Sequence, residues 1–516
     1  MDAHIEMLLN KKILITNPRK LHDSYQKNKA DFQHYIDNVK RNSPWDIYTI
    51  INPTLIKNPY ASEFPKRFFL NDIRQVNSII LFIKNLFKFY LKNSYFLVSY
   101  LIAFVIYKLY YKKKRVSDIK IIIDVFGLVD NVNKNGEFNE NYLTGIYKLF
   151  EKCNTNYAIL LRPYQVAKNP FKLRHFFKII NQDKRDFIFE YELLKLSDFF
   201  TLFSLILLYP FKTLRLLQKE SNENDKIFNQ SLLADIKYFS FDSLTRYVLG
   251  RHLAKIDSIE NIFSWSEFQV IERSFNYAIR KNSQKIELKA LQFFLNYEVY
   301  FNSYVDDLDD DMLSAPHEIF VNGKYYIQNR ERVKYSVGVS LRYKDIFRFK
   351  RQKDGEKILL LGSCIESDTK YMLESVRDFD NILFKNHPAV DIKRFGELSK
   401  NITVSNGSIY KLFKNTKIVI GTASGSSVEA VACGISVIIV ASQDNLIANP
   451  LVECGKGKIW DTAFEKEELK DSINALLEFR KNNRNEIHNI SIWYKDNFFV
   501  EPTEESIIKV FKLDKD

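Results

Sequence analysis

The stretch Asn381–Ser442 limits what this chain can fold into more than any other. It contains NILFKNHP, then ITVSN, then KIVIGTASGSSVEAVACGISVIIVAS. Asn381–Lys385 and Lys417–Ile420 are short apolar runs, β-branched in the second, and both end in small or polar residues. Runs of this kind form strands buried on both faces. Gly421–Ser427 holds only Gly, Thr, Ala and Ser. Val428–Cys433 then fits a short helix stopped by Gly434, and Val437–Val440 fits the next strand. Strand, small-residue loop, helix and strand in that order make half of a nucleotide-binding, parallel α/β unit.

The chemistry open to that loop is anion binding. Small residues let a ligand approach the backbone, and N–H groups at a helix start favour phosphate. Ser424, Ser426 and Ser427 add hydroxyls, although Ser426 or Ser427 could do no more than cap the helix. His387-Pro388 follows the strand Asn381–Lys385, at the end where open α/β sheets bind ligands. The proline keeps His387 out of a helix, and Lys385 stands beside it. Lys357–Leu361 is a further strand, and its Gly362-Ser363 turn is expected to face the same cleft.

These residues resemble the C-terminal domain of GT-B-fold glycosyltransferases. Ser424-Gly425 through Glu429 to Gly434 is similar to their S-G-x-x-x-E-x-x-x-x-G nucleotide-sugar signature. The resemblance implies that Ser424, Gly425, Ser426 and Ser427 hold the donor phosphate and that Glu429 holds ribose hydroxyls. The His-Pro followed by a Ser-Ser pair also resembles bacterial enzymes that use cytidine-activated donors, in which the His contacts the nucleotide phosphate. Those enzymes usually carry Gly-x-Pro where this chain has Gly434-Ile435-Ser436. The fold implied is α/β, with two Rossmann-like domains facing a cleft. Residues 1–335 would form the acceptor domain, 336–500 the nucleotide-sugar domain, and 501–516 a helix crossing back. The donor would be a substrate, with no separate cofactor and no metal.

At 516 residues, 46% apolar and 27% charged, the chain is globular and long enough for more than one domain. A formal charge of +13 suits an anionic partner. Nucleic acid is disfavoured, because the basic residues form no aromatic-interleaved module. Cys153, Cys364, Cys433 and Cys454 have neither disulfide nor zinc spacing, which fits a reducing cytoplasm. The opening apolar run is broken by Asn10, Lys11 and Lys12, so no signal peptide is expected there.

The N-terminal half carries an inserted aromatic, basic helical segment, residues 79–115. Its uncharged core, Ser94–Tyr107, is shorter than a bilayer span, and Lys84, Lys88 and Lys92 recur every four residues. Interfacial contact with an anionic inner membrane surface is one reading, a helical hairpin docked on the protein is another, and a true transmembrane span is the third. Phe199–Phe211 reads as a second core or interfacial helix.

Asp46–Ile51 resembles a strand; Lys120–Val125, Tyr142–Lys152 and Tyr157–Leu161 form a β-α-β unit that starts the first domain. Asp124 lies near the end of its strand. Trp265, Phe268, Ile271, Phe275 and Ile279 suggest a helical face, with Glu267 on the same helix. This block, with Pro316–Lys324, resembles surface-carbohydrate biosynthesis proteins of O-antigen type. Asp306–Asp311 reads as a solvated acidic loop, and Lys334–Tyr343 as a linker. The expected activity is transfer from a CMP- or UDP-linked sugar to a growing surface polysaccharide or lipid-linked glycan. It would take place on the inner face of the cytoplasmic membrane, with Glu267 or Asp124 as catalytic base. A nucleotide-sugar epimerase and a non-catalytic scaffold are the alternatives.

Overall fold

The computed structural model describes residues 17–74, 78–112, 118–127, 132, 136–140, 142–163, 169–351 and 355–513. The expectation of no signal peptide therefore falls outside the described residues, as do Lys113–Arg115 of the inserted segment.

Seven strands make the first sheet: β1 (Ile121–Gly127), β2 (Tyr157–Pro163), β3 (Phe187–Ile188), β4 (Asn261–Trp265), β5 (Glu287–Gln292), β6 (Glu318–Val321) and β7 (Lys334–Val337). Six make the second: β8 (Lys357–Leu361), β9 (Ile382–Lys385), β10 (Ile402–Val404), β11 (Thr416–Gly421), β12 (Ser436–Val440) and β13 (Trp460–Ala463). Their orders are β3-β2-β1-β4-β5-β6-β7 and β10-β9-β8-β11-β12-β13, and every pairing is parallel. Both are doubly wound Rossmann-like sheets, and together they form the two-domain GT-B arrangement.

Parallel strands need crossovers, so helices cover both faces and each strand is apolar throughout. In β1, Ile121, Ile123 and Val125 enter one core, while Ile122 enters another with Leu249, Phe275 and Ile279. In the second sheet, Leu359, Val419 and Ile439 pack with Val428 and Val431, and Ile358, Ile420 and Ile438 pack with Met372 and Leu469. The domains also share a core. Ile319 and Val321 of β6 lie in one cluster with Tyr494 and Phe498, and Asn322 Nδ2 donates to the Phe498 carbonyl at 2.8 Å. The last helix, Glu504–Phe511, returns to the first domain, where the Phe511 ring lies 5.0 Å from Phe263 and 5.4 Å from Phe150.

Several local expectations are corrected. Ile47–Ile50 is a helical turn, because the Asp46 carboxylate accepts from the Tyr48 and Thr49 N–H groups. That cap overrides the β-branched composition. Lys334–Val337 is no linker; it pairs with β6, so the first sheet runs across residue 335. Trp265 ends β4 and Phe268 sits in a loop, while the helix starts only at Val270. Asp307–Asp311 is a helix, not a solvated loop. Asp309 is buried against Arg273 and Lys40, whose charges hold its carboxyl well below the usual range despite burial. Residues 78–110 form one 33-residue helix, not a hairpin.

Candidate functional site

In a sheet of this order the chain reverses its direction of winding between the first and fourth strands, and a crevice opens at their carboxyl ends. The second domain has this crevice between β8 and β11, and the first between β1 and β4. The two face each other.

On the second-domain side three strand ends meet. Gly362 follows β8, the loop Thr422–Gly425 follows β11, and Asn386-His387 follow β9. Adjacent strands lie about 4.8 Å apart, so β9 and β11 end within roughly 10 Å of one another. Gly362 is packed closely: its N–H donates to the Lys385 carbonyl at 2.9 Å, and a Cβ there would lie 3.0 Å from the His387 backbone nitrogen. His387 Nδ1 accepts from the Ala389 N–H at 3.2 Å. The neutral ring therefore carries its proton on Nε2, a donor left uncommitted among the described residues. Burial, then the charge of Arg342, lowers the pKa of this imidazole, which favours the neutral form.

The serine loop is tightly turned, with Ser424 N–H donating to Thr422 O at 2.7 Å and Ser427 N–H to Ser424 O at 3.1 Å. Ser426 Oγ donates to Glu429 Oε1 at 3.2 Å, and Tyr410 Oη donates to Oε2 at 2.5 Å. Burial raises the Glu429 pKa, and Tyr410, Arg342 and Ser426 oppose that rise. Ser427 Oγ is buried without a hydrogen-bond partner among the described residues. The following helix, Ser426–Ala432, has seven residues, so its dipole is a small source of positive charge. Across the cleft, Leu295 lies 3.4 Å from where a Gly425 Cβ would stand.

Two residues singled out in the sequence are committed elsewhere. Lys385 Nζ donates to the Gly407 carbonyl at 3.0 Å and braces the loop after β10. Ser363 is buried; its Oγ accepts from Ile365 N–H and its own N–H donates to Thr369 Oγ1, so it shapes the turn into the helix Glu366–Ser375.

On the first-domain side Glu267 lies two residues beyond β4, at the crevice of that sheet. Its carbonyl is held by Asn302 Nδ2 at 2.9 Å and Ser303 Oγ at 3.3 Å. The next residue, Phe268, has φ +57°, a strained value for an aromatic side chain. The Glu267 carboxylate is water-accessible yet walled in, with Tyr142, Tyr300, Arg342 and Cys364 all within its electrostatic reach. This enclosure raises its pKa, against hydrogen bonding from Gln269 and the charges of Arg342 and Arg162.

Asp124 does not belong to the site. It is fully buried, paired with Arg246, and 3.4 Å from Arg162 Nε, while the Arg246 guanidinium lies 3.8 Å from the Phe275 ring centre. No acceptor hydroxyl can reach it. Among the described residues there is no cluster of His, Cys, Asp and Glu able to hold a metal.

Sequence reasoning missed Arg342. It follows β7 on the segment joining the two sheets, and makes no ion pair or hydrogen bond among the described residues. Its guanidinium stands 5.5 Å from the Tyr142 ring centre and 5.9 Å from that of Tyr343. Its charge acts on Glu267, His387 and Glu429 together, so one cation sits among groups from both domains. The only sequence signal was an arginine beside an aromatic at the inter-sheet crossing. A separate cavity of about 560 Å³ lies behind the helix Ser426–Ala432, lined by Arg351, Cys433, Arg480, His488 and Lys495 among others; it shares no residue with the cleft.

No family model matches the chain, and no curated protein sequence matches it. Solved structures similar to it include UDP-GlcNAc 2-epimerase from Neisseria meningitidis bound to UDP-GlcNAc, 11% identical, covering 76% of this chain and 100% of that one, with a TM-score of 0.40. MurG of Acinetobacter baumannii is 11% identical over 76% of this chain and 99% of its own, with a TM-score of 0.41. The calicheamicin glycosyltransferase CalG4 is 10% identical over 77% and 98%, with a TM-score of 0.40. At these values the fold assignment rests on strand order, not on the neighbours.

Proposed function

We propose that this chain is a glycosyltransferase moving a sugar from a CMP- or UDP-linked donor to a growing surface polysaccharide or lipid-linked glycan of O-antigen or capsule type. One observation carries the reading: a carboxylate, Glu267, and a cation with no ion pair among the described residues, Arg342, stand at the cleft with the serine loop and His387. In this reading Arg342, His387 Nε2–H and the backbone and hydroxyls of Ser424–Ser427 hold the donor phosphate. Glu429 holds the ribose, exchanging its bonds to Ser426 and Tyr410 for sugar hydroxyls. Gly362 permits the close approach of the phosphate.

The acceptor oxygen attacks the anomeric carbon and the bond from that carbon to the phosphate oxygen breaks. Glu267 takes the acceptor proton, and its raised pKa suits a general base better than an ordinary carboxylate. The nucleotide leaves with the bonding electron pair, its charge offset by Arg342 and His387. Asp124, buried in an ion pair, has no part in these steps.

The test is nucleotide release from CMP- and UDP-sugars with and without a glycan acceptor. Acceptor-dependent release supports transfer. An isomerised donor formed without acceptor would mean an epimerase, and no nucleotide binding in calorimetry would mean a non-catalytic scaffold.

A further inference from the structure

We infer that the helices Ser78–Tyr110 and Leu196–Thr213 form a platform that lies flat in the surface of an anionic lipid bilayer, without spanning it. Both are long and apolar enough to cross a membrane by length and composition. What decides between lying and crossing is where the exposed apolar residues fall.

On the longer helix the exposed apolar residues include Ile80, Ile83, Phe87, Leu91, Val98, Ile102, Val105 and Leu109. Their spacing of three or four, doubled once where Ser94 and Tyr95 intervene, draws a single stripe along one face. From Ile80 to Leu109 the stripe is about 43 Å long at 1.5 Å per residue. On the shorter helix Leu196, Phe200, Phe203, Leu207 and Phe211 draw a second stripe. Phe87 is 71% exposed and Phe200 75%, values far from those of core residues. Contiguous apolar surface on this scale marks an interaction face.

The opposite face of the long helix is fixed to the protein along its whole length. Asn85 Nδ2 donates to Leu233 O at 3.0 Å, Tyr100 packs on Tyr191 and Phe241, and Tyr107 packs on Phe177 at 5.4 Å. The two helices are also joined to each other, antiparallel: Tyr90 Oη donates to Leu207 O at 2.8 Å, Phe89 stacks on Tyr209, and Phe104 meets Phe199. A spanning helix would have to peel off all of these contacts. An in-plane pair keeps them and buries only the two stripes.

Charge names the occupant. No acidic residue lies between Asp72 and Asp118, whereas Arg74, Lys84, Lys88, Lys92, Lys108 and Lys112–Arg115 do. Lys84 and Lys88 each directly follow a stripe residue, where a long side chain reaches headgroups while the stripe sits among acyl chains. Arg74 is already paired with Glu63 and Lys92 donates inward to the Lys237 carbonyl, so Lys84 and Lys88 are the cations for which anionic headgroups would supply counter-charge. The platform also lies at the cleft's end of the sheet: Tyr100 lies beside Glu190, just past the carboxyl end of β3, two strands from β1 and at the same end as the crevice. An acceptor anchored in lipid would then be presented to the cleft.

The experiment is flotation of the full chain with vesicles of equal parts phosphatidylglycerol and phosphatidylcholine, and with phosphatidylcholine alone. Wild type should float with the anionic vesicles and bind the neutral ones about tenfold or more weakly, a difference that shrinks in high salt. The triple variant Phe87→Glu, Val98→Glu, Phe203→Glu, altered only at exposed positions, should lose binding about tenfold or more with an unchanged melting curve. Fluorophores on Ile83→Cys, Val98→Cys and Leu109→Cys variants should all be quenched at one shallow depth. Wild type failing to float, the triple variant floating equally well, or a deep centre with shallow ends would overturn the inference. So would a dimer in light scattering that the triple variant dissociates, since the stripes would then serve self-association. None of these readouts depends on catalytic activity, so the donor-site reading stands or falls separately.

Discussion

Arg342, on the crossing between the two sheets, puts its charge on His387 at the end of β9, although the guanidinium has no ion pair of its own among the described residues. Burial and that charge together keep the imidazole below its ordinary pKa. Arg342→Ala should therefore raise the His387 pKa, read from its ring proton shifts against pH. The same change removes a charge-assisted contact worth about 1.5–3 kcal/mol, so nucleotide affinity should fall roughly 10- to 100-fold in calorimetry. An unmoved His387 titration would show that the two groups do not share a pocket.

The walls around the water-accessible Glu267 carboxylate raise its pKa above its ordinary value. The unfolded chain gives up this proton near pH 4.3, whereas the folded chain holds it to higher pH. Between those two values the folded state binds more protons, so this group's contribution to stability falls as pH rises through the window. Glu267→Gln should thus melt a little higher than wild type at pH 7.5 and no higher near pH 4. Water at the carboxylate keeps the gain modest. Transfer should drop by two to four orders of magnitude, on the scale of a lost general base, while nucleotide affinity stays within about twofold. A variant that turns over normally would remove Glu267 from the mechanism.

The second domain was legible because parallel strands buried on both faces are continuous apolar runs, and because small residues mark the turn between β11 and the helix at Ser426. The inserted segment was legible as apolar and basic, but its conformation was not. A docked hairpin was one of its readings, yet the segment is a single helix, in which Asn93 Nδ2 bonds the Phe89 carbonyl at 2.8 Å. Asp124 was read at the right strand end and given the wrong surroundings. Residues alternate across a strand, and its parity puts it with Ile122 on the face covered by the helices Phe241–Leu253 and Val270–Asn282, where Arg246 waits. Sequence alone did not say that both faces were covered at that point. Arg342 was invisible for a related reason: its meaning comes from where the inter-sheet crossing runs.

Asp124→Ala should behave as the loss of a structural partner. It leaves Arg246 buried and unneutralised, a cost of about 3–5 kcal/mol for a broken buried pair. Urea unfolding should show that loss. The fraction still folded at low temperature should retain nucleotide affinity within about twofold. If Asp124→Asn instead left stability intact and abolished transfer, the residue would belong to the reaction after all.

Gly362 offers a sharper test of the cleft. A Cβ at this position would stand 3.0 Å from the His387 backbone nitrogen and 3.2 Å from Asn386 Oδ1. The first of these is main chain, which cannot swing aside as a flexible side chain does. Nothing in its backbone conformation demands glycine, since its φ lies outside the left-handed region. Gly362→Ala therefore strains the Asn386-His387 turn by a few tenths of an ångström while leaving strands β8 and β9 paired. The expected outcome is a melting temperature close to wild type together with a several-fold loss of nucleotide affinity, because the displaced group is the imidazole that would meet the phosphate. Gly396→Ala is the control: that glycine has open space around its Cβ position but a φ of +67°, so it should cost stability without touching affinity. If the two variants gave the reverse pattern, His387 would have no part in holding the ligand.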